Sequence, residues 1–494
     1  MMRRRVPGGR LARAGVVVAL LAGSLGVAAV SANAAPAAPA DGCEITRTGE
    51  YPRAEAAQQG LDPARLQDAL NYASVMGSHT IKVFRHSCLV GEGLRDPLLE
   101  RVVDDTWGNT KTIVSLLTGI ASDRGAVDLD APISEHLPAD LGDAAHRAVT
   151  LRQLLHATSG AEVNQVRGLN FVADDSRMRD WFAQPITHEP GSYYFYDQTA
   201  TSVIVYVTQR AISEQAGRAV DYQEFAQSAL FDRLGVPRSA YFWQRDRTGL
   251  TSGYSQLFLR PLEFGRFGEL ILRDGAFQGE QVVSQDYMRE FDDGTEANCG
   301  YSVLTFVNNC EPGEQRVGVG VPEREVDDGR AWVASAPADM IFTDGVGTRI
   351  FVIPSLDMVV TRNGEQELDL LPSVARGDVN NAVPGRPGAA GTHEFFRRLM
   401  AAVTDMPDDV RATIENSGPY DGPPRVGFDV TQYTNQPTAP VETTSGLGLP
   451  PGDCGPAGCA GEPNDGVQRL VTDAPRVVPG TVGAETRPDG GSEG

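Results

Sequence analysis

The sequence predicts an α+β fold, in which an antiparallel sheet is flanked by helices and joined to an inserted all-helical region. Two observations predict it. Residues alternate like a pair of short strands at His79–Gly91, and strand-like runs return only late in the chain. The residues between them show mainly helical spacing of apolar positions. Since an antiparallel sheet can be assembled from both ends of a chain, we expect the early and late strands to share one sheet.

The helical segments follow from apolar spacing and capping residues. Asp62–Met76 has Pro near its start and apolar residues at helical intervals. Thr110–Arg124 is apolar on most sides, which predicts a buried helix. The other predicted helices are Leu151–His156, Gln198–Glu214, Tyr222–Leu234, Pro261–Asp274 and His393–Thr404. The predicted late strands are Tyr301–Val307, Ala331–Ala336, Arg349–Ile353 and Asp357–Thr361.

The first 34 residues have the pattern of an export signal. Five arginines lie in the first 13 residues, the run Ala14–Val30 is apolar, and Ala32-Asn33-Ala34 offers the small residues of a cleavage site. A membrane anchor is the alternative interpretation, but about seventeen residues with scattered Gly and Ser are short for a span. We therefore expect a secreted protein whose signal peptide is cleaved near Ala34.

The charge balance limits the classes of partner. The net charge is −22, and removal of residues 1–34 with their five arginines and no acids would make it −27. Such an acidic surface disfavours nucleic acid and anionic membranes. We expect no nucleic acid partner and no membrane insertion; the oligomeric state is left open.

Six cysteines, an even number, suggest disulfides in an exported protein. Sequence proximity favours Cys299–Cys310 and Cys454–Cys459, which leaves Cys43–Cys88, although other pairings stay open. A zinc site is the alternative, but the spacings do not suit one and no His lies nearby. We expect no metal and no cofactor.

Composition divides the chain into four parts. After the signal peptide (1–34), residues 35–41 are an Ala/Pro linker, and 42–406 form one globular domain. Residues 407–494 are rich in Pro, Gly, Thr and acids, and such a segment buries too little apolar surface to offset its ordering entropy. We predict a disordered acidic tail, within which Cys454 and Cys459 close a small loop.

The segment Asp104–Leu137, DDTWGNTKTIVSLLTGIASDRGAVDLDAPISEHL, carries the strongest functional signal. It resembles the nucleophile segment of the serine β-lactamase and penicillin-binding-protein family. The nearest branch holds class C β-lactamases, D-alanyl-D-alanine carboxypeptidases, esterases and 6-aminohexanoate-dimer hydrolases. That family requires S-x-x-K at the start of a buried helix. Lys111 is present here, and Gly108 stands at the serine position.

The resemblance extends over Leu61–Val403 and implies the family's β-lactamase/transpeptidase-like fold. Four further segments match in the family's order: Val149–Gly160, Pro190–Thr201, Leu257–Ser284 and Asp344–Asp357. The family's active site lies where the sheet region meets the helical region.

Three motifs would carry the chemistry. In S-x-x-K the lysine lies on the same helix face as the serine and serves as its base. Lys111 has apolar flanks that favour burial, although an ordinary surface lysine is the alternative. Tyr196-Asp197-Gln198 stands where the family has Tyr-x-Asn. Tyr196 keeps the phenol for acid–base work, unless it is only a core aromatic, and Gln198 offers the amide of Asn on a longer side chain.

The third motif, normally a Lys, His or Trp before a Gly on a strand at the pocket edge, aligns with Gly345-Val346-Gly347. The basic side chain is absent. Gly345 and Gly347 still allow a strand to approach a ligand closely. Arg349, two residues further, is expected to be a solvated surface arginine rather than a carboxylate ligand.

Three hypotheses follow. In the first, the protein is a secreted pseudoenzyme that binds a cell-wall peptide, an amide or an ester in the old cleft with little or no turnover. In the second, it is an active esterase, amidase or carboxypeptidase, which uses Lys111 and Tyr196 with water or a displaced nucleophile such as Thr106, Thr110 or Ser115. In the third, it is an interaction protein that acts through its acidic tail.

Overall fold

The structure is a computed structural model. It describes residues 42–161, 177–246, 248–308, 331–343, 347–364 and 390–419, some isolated residues (310, 314, 316–317, 326–327 and 345) and the pairs 454–455 and 458–459. The predicted signal peptide and linker, and most of the predicted tail, lie outside the described residues.

The central sheet combines strands from both ends of the domain, as predicted. Its six strands, in chain order, are β1 (Ser78–Arg85), β2 (Cys88–Glu92), β3 (Phe306–Val307), β4 (Ile341–Phe342), β5 (Arg349–Ile353) and β6 (Met358–Gly364). They are arranged β2-β1-β6-β5-β4-β3, with every neighbouring pair antiparallel. The early hairpin therefore pairs with the late strands through β1 and β6.

Three-residue and two-residue strands form smaller sheets elsewhere. They are Asp104–Asp105 with Leu257–Leu259 and Tyr241–Trp243, Ala276–Phe277 with Glu280–Gln281, Arg316–Val317 with Val326–Asp327, and Cys454–Gly455 with Gly458–Cys459. The first of these leads directly into the longest helix of the predicted nucleophile segment.

The described residues also form α-helices on both sides of the sheet. In order they are α1 (Pro63–Val75), α2 (Asp96–Leu99), α3 (Asn109–Asp123), α4 (Ala144–Ala148), α5 (Leu151–Leu155), α6 (Arg177–Phe182), α7 (Ala200–Ala216), α8 (Tyr222–Ala226), α9 (Asp232–Leu234), α10 (Phe264–Leu272), α11 (Gln285–Met288), α12 (Ala390–Ala402) and α13 (Asp408–Ala412). Every predicted helix is present within a few residues of its expected ends. A π-helical turn at Gln227–Phe231 joins α8 to α9.

Both faces of the sheet are buried. Since alternate residues of a strand point to opposite faces, neighbouring residues belong to different apolar clusters. Val83 and Val360 belong to one apolar cluster together with side chains of α1 and α12. Their strand neighbours Phe84 and Val359 belong to a second cluster, which includes α10 and the helical region around α3 and α7. The helical region and one face of the sheet thus share a core.

One predicted strand is wrong and another is shorter than predicted. Ala331–Ala336 forms turns, because its backbone is bonded to a side chain instead of to a neighbouring strand. The Asn308 amide accepts from Val333 N at 2.8 Å, and its Nδ2 donates to the carbonyls of Val333 and Pro337. Of Tyr301–Val307, only the last two residues form a strand.

Two of the three expected disulfides, Cys43–Cys88 and Cys299–Cys310, are present. Cys454 lies opposite Cys459 in a two-stranded ladder, and their bonding stays a prediction. Past the predicted boundary at residue 406, α13 follows directly, and Asn416 N donates to Ala334 O at 2.8 Å. The division into domains stays a prediction, with residues 407–419 attached to the globular part.

Candidate active site

The site begins at the first turn of α3. Trp107, with φ +48°, turns the chain out of the short strand Asp104–Asp105, and Gly108 is the N-cap residue with φ −61° and ψ −16°. Gly108 O accepts from Lys111 N at 3.0 Å, so the two residues lie one helical turn apart. Because Gly108 has ordinary right-handed torsions, its backbone conformation does not itself require glycine.

Lys111 is buried, with 3% of its surface exposed, as its apolar flanks predict. Its ammonium donates to the carbonyl of Tyr254 at 3.2 Å and lies 5.0 Å from the centre of the Tyr196 ring. A cation at this distance from a ring face is attracted by the ring quadrupole. The structure thus brings together Lys111 and Tyr196, two residues 85 positions apart in the sequence.

Tyr196 is held by other aromatic rings. It meets Tyr301 edge-on at 5.9 Å and Phe306 at 6.3 Å between ring centroids. Tyr301 and Phe306 are themselves in edge contact at 5.0 Å. The loop that carries both residues is bracketed by the Cys299–Cys310 disulfide, which sequence reasoning had placed but had not connected with the site.

The next two residues of the second motif have different environments. Asp197 is buried and its Oδ1 accepts from both the N–H and the hydroxyl of Thr199 at 2.7 Å. Burial raises the pKa of Asp197 to about 6, although the Thr199 bonds and the charge of Lys111 oppose the rise. The Gln198 amide oxygen is buried and has no hydrogen-bond partner among the described residues, so it does not accept from Lys111.

The two glycines of the third motif lie beside the helix start. Gly345 exchanges backbone hydrogen bonds with Thr348, and a Cβ at Gly345 would come within 2.8 Å of Gly108 N and 2.6 Å of Thr106 O. Gly347 has φ +80°, which favours glycine, and its carbonyl accepts from Arg362. The structure therefore brings Gly345 against Gly108 and uses Gly347 as a turn.

Arg349 is not the solvated surface arginine that we expected. Only 2% of it is exposed, and its guanidinium donates to the Thr392 hydroxyl at 3.1 Å. The prediction was wrong because the strand β5 lies inside the sheet, with α12 packed over it, so that both faces of the strand are covered.

Sequence reasoning missed a polar junction between α3 and the sheet. Asn109 donates to the carbonyls of Thr106 at 2.6 Å and Thr348 at 2.8 Å, and its Oδ1 accepts from the Thr343 hydroxyl. An asparagine directly after Gly108, at the start of a helix predicted to be buried, was the available signal. The junction holds the third motif against the first, because the Asn109 side chain is bonded to Thr106, just before Gly108, and to Thr343 and Thr348, on either side of Gly345-Val346-Gly347.

Asp105 adds a buried carboxyl two residues before Trp107. Its Oδ1 accepts from Trp107 N at 2.8 Å. Burial raises its pKa to about 7, the Trp107 N–H opposes the rise, and the neighbouring Asp104 adds to it. A carboxyl that titrates near neutrality therefore lies directly beneath the turn that presents Gly108.

The three hydroxyls considered as displaced nucleophiles are all buried and bonded to other groups. Thr106 and Thr110 share a hydrogen bond of 2.9 Å, and Ser115 Oγ lies 2.8 Å from the Tyr287 hydroxyl. Each would have to give up a buried hydrogen bond before it attacked a substrate.

Two negative observations apply to the described part of the chain. The side chains there that could gather around a metal are Cys299, Cys310 and Glu314, but the two cysteines are joined in a disulfide and offer no thiolate. No helix within the described ranges is both long and apolar enough to cross a membrane.

The fold and the arrangement at the start of α3 define a class: a β-lactamase/transpeptidase-like protein with its candidate site between sheet and helical region. Residues 106–263 match the family model named Beta-lactamase, a range that includes Gly108, Lys111, Tyr196 and Gln198. This match covers 158 of the 494 residues and supports an assignment to the serine β-lactamase and penicillin-binding-protein-like family.

Solved structures with a similar fold include three from bacteria. A protein from Bacillus anthracis assigned as a 6-aminohexanoate-dimer hydrolase is 14% identical, with TM-score 0.48 and coverage of 69% of this chain and 89% of that one. A β-lactamase/D-alanine carboxypeptidase from Pseudomonas syringae is 13% identical, with TM-score 0.44 and coverage of 68% and 98%. A class C β-lactamase from Rhodobacter sphaeroides is 17% identical, with TM-score 0.41 and coverage of 61% and 93%.

These structural similarities are remote, and the family assignment is supported by the sequence match of residues 106–263. A sequence search of curated proteins found no match.

Proposed function

We propose that this protein is an exported β-lactamase-family pseudoenzyme, which binds a cell-wall peptide, an amide or an ester in the family cleft with little or no turnover. Export is supported by the signal-like residues 1–34 and is compatible with two disulfides. The observation that carries the proposal is Gly108. It stands one helical turn before Lys111 with torsions that any residue adopts, so the backbone conformation at the nucleophile position is compatible with serine although the side chain is absent.

The chemistry explains why the loss matters. Acyl transfer in this family requires a hydroxyl that attacks the carbonyl carbon and a base that accepts its proton. Lys111 and Tyr196 stay adjacent and can exchange protons with a ligand, but Gly108 has no atom that forms the acyl bond. Binding of a ligand's carbonyl oxygen does not by itself accelerate cleavage, because no acyl bond forms without the nucleophile.

The test is restoration of the missing hydroxyl. We expect no hydrolysis of a nitrophenyl ester or a chromogenic cephalosporin by the unmodified protein, and measurable hydrolysis by Gly108→Ser. Gly108→Ala is the matched control, because it adds the same Cβ without the hydroxyl. Adding Lys111→Met to Gly108→Ser should abolish the gain, because the serine would then lack its base. Silence of Gly108→Ser towards both substrates, in a folded protein, would contradict an intact cleft.

Ligand binding is measured separately. We expect an acylated D-alanyl-D-alanine peptide to bind the unmodified protein in a calorimetric titration and to be recovered uncleaved. Lys111→Met should weaken that binding. Absence of binding would exclude cell-wall peptides as the ligand, even if Gly108→Ser proves active.

A second candidate is an active hydrolase, in which Lys111 and Tyr196 activate a water molecule or a displaced hydroxyl. It is favoured by the 5.0 Å contact between the Lys111 ammonium and the Tyr196 ring. Turnover by the unmodified protein that disappears in Lys111→Ala would support this candidate and overturn the pseudoenzyme. Unchanged turnover in Lys111→Ala would exclude the mechanism.

A further inference from the structure

The described chain continues past the predicted domain boundary at residue 406. The helix α13 is followed by residues 413–418, which we refer to as the C-terminal strap. Val410 of α13 and Ile414 of the strap pack against the same apolar cluster that Tyr196 packs against. Residues that the sequence assigned to the tail therefore share a core with a residue of the candidate site.

The strap is bonded to the backbone of one segment, residues 331–338. The three hydrogen bonds run from Ala331 N to Glu415 Oε1 at 2.9 Å, from Asn416 N to Ala334 O at 2.8 Å, and from Ala338 N to Thr413 Oγ1 at 3.1 Å. No strand pairs with this segment in the described part of the chain. The strap thus supplies partners that a neighbouring strand would otherwise provide for these backbone groups.

The same segment is also bonded to Asn308, a fully buried residue that directly follows the strand β3. Asn308 Oδ1 accepts from Val333 N at 2.8 Å. Its Nδ2 donates to the carbonyls of Val333 at 3.2 Å and Pro337 at 3.0 Å. Residues 331–338 therefore connect the strap with the loop that ends in β3.

Trp332 extends this connection to the candidate site. Its indole Nε1 donates to Gly300 O at 2.9 Å, and its ring meets Phe306 edge-on at 5.8 Å between centroids. The Phe306 ring lies 6.3 Å from the Tyr196 ring, whose centre is 5.0 Å from the Lys111 ammonium. A continuous series of contacts thus leads from the strap to the ring beside Lys111.

We propose that the C-terminal strap is a positioning segment of the candidate site. By holding residues 331–338, the strap fixes Trp332 and Phe306, and these rings limit the orientations of Tyr196. A ring that is already oriented binds a ligand without first losing conformational freedom, so the strap strengthens binding without touching the ligand. This inference rests on the proposed function, because it assigns the strap a role in ligand binding at the family cleft.

The test is a pair of matched double variants of the complete protein. Thr413→Val with Glu415→Ala removes two acceptors for residues 331–338, whereas Thr413→Ser with Glu415→Gln keeps an acceptor oxygen at each position. The measurements are NMR of protein labelled at tyrosine, with Tyr196→Phe to assign the signal, and calorimetric titration of an acylated D-alanyl-D-alanine peptide.

We expect Thr413→Val with Glu415→Ala to move the Tyr196 signal and to weaken peptide binding about threefold to tenfold, because packed contacts transmit the loss. Thr413→Ser with Glu415→Gln should match the unmodified protein in both measurements. Replacing Cys43 and Cys88 by Ser controls for general loosening of the fold, because that disulfide lies away from the site. It should leave the Tyr196 signal in place.

The proposal is overturned if the Tyr196 signal stays unmoved in Thr413→Val with Glu415→Ala, or moves as far in either control. A moved signal with unchanged peptide affinity would also overturn it, because the strap would then affect the ring but not the ligand. If the unmodified protein does not bind the peptide, the proposed ligand is excluded, and the Tyr196 signal alone decides whether the strap positions the ring.

Discussion

At the scale of single residues, Gly345 and Gly108 lie side by side in the site, but the structure requires glycine only at Gly345. A Cβ on Gly345 would lie within 2.8 Å of three atoms of the segment 106–108, two of them in the backbone, so close packing requires glycine there. Gly108 has φ −61° and ψ −16°, torsions that any residue adopts, so its backbone conformation does not require glycine. Substitution of Gly345 therefore tests packing, whereas substitution of Gly108 tests chemistry.

The one-turn spacing of Gly108 and Lys111 that the sequence predicts is present in the structure, but the sequence could not show the surroundings of the site residues. Gly108 and Lys111 were found because S-x-x-K is a local pattern that one helical turn imposes. Burial of Arg349, the Asn109 junction and the raised pKa of Asp105 depend on elements far apart in the chain. Local spacing contains no information about such contacts.

Asp105 gives a prediction about pH. In the unfolded chain an aspartate has an ordinary pKa near 4, and in the folded protein burial raises that of Asp105 to about 7. The folded state thus binds the proton more tightly, so the contribution of Asp105 to stability is fully present only below the unfolded pKa near 4, falls as pH rises from there, and is lost once pH has passed about 7. The Asp105→Asn variant, whose amide oxygen still accepts from Trp107 N, should lack this dependence.

The measurement is the free energy of unfolding of both proteins at pH 5 and pH 8. Relative to the unmodified protein, Asp105→Asn should gain about 2–3 kcal/mol on going from pH 5 to pH 8. Comparison of the variant with the unmodified protein at each pH cancels the opposite contribution of His156, whose pKa burial lowers to about 4. A difference that does not change with pH would mean that Asp105 is ionised in the folded protein throughout this range.

At the scale of elements, helices were predicted more reliably than strands. The helix α3 has apolar residues on most sides, and every residue from Asn109 to Ala121 is buried. Ala331–Ala336 is a strand-like run, yet the N–H and carbonyl of Val333 are both bonded to the Asn308 side chain and not to a neighbouring strand. A helix satisfies its own backbone, so its pattern suffices, whereas a strand needs a partner that the pattern does not reveal.

The connection between β1 and α2 depends on one buried ion cluster. Lys82 on β1 is 1% exposed and is bonded to Asp96 and Glu100, while Asp96 Oδ2 also accepts from the backbone of Ile81 and Gly93. Lys82→Met should lower the free energy of unfolding by about 3–5 kcal/mol, because it leaves buried carboxylates unpaired.

A double-mutant cycle in chemical denaturation separates charge from packing. Asp96→Asn in the Lys82→Met background should recover part of the loss, since it removes the unpaired charge and keeps an oxygen that accepts from the Ile81 and Gly93 N–H groups. Additive losses would show that the cluster acts through packing alone. Leu94 and Leu98 are exposed, so replacing either by Ser should leave the free energy of unfolding nearly unchanged and serves as a control in the same segment.

At the scale of the whole molecule, the two disulfides have different expected roles: one stabilises the fold, and the other also fixes the geometry of the candidate site. Cys43–Cys88 spans 45 residues and ties the start of the described chain to β2, away from the candidate site. Cys299–Cys310 spans 11 residues and brackets Tyr301 and Phe306, which pack against Tyr196. The sequence motifs predict which residues form the candidate site, but they do not reveal that the Cys299–Cys310 disulfide orients Tyr196.

The unfolding free energy lost on removing each disulfide should increase with the number of residues that the disulfide encloses. The effect on the candidate site should depend on how close the disulfide lies to Tyr196. Replacing Cys43 and Cys88 by Ser should cost about 4 kcal/mol of unfolding free energy, and replacing Cys299 and Cys310 about 3 kcal/mol, if the entropy of the unfolded chain dominates. Only the second pair should disturb Tyr196, because its loop carries the rings that hold it. The measurement is NMR of protein labelled at tyrosine, with Tyr196→Phe to assign the signal.

The two double variants are each other's control. The less destabilised variant should show the larger change at Tyr196, an ordering that general loosening of the fold cannot produce. If the Tyr196 signal moves in proportion to lost stability in both variants, the aromatic contacts do not position the ring. If it moves only when Cys299–Cys310 is removed, this disulfide holds Tyr196 beside Lys111, and an oxidising compartment becomes a requirement of the site as well as of the fold.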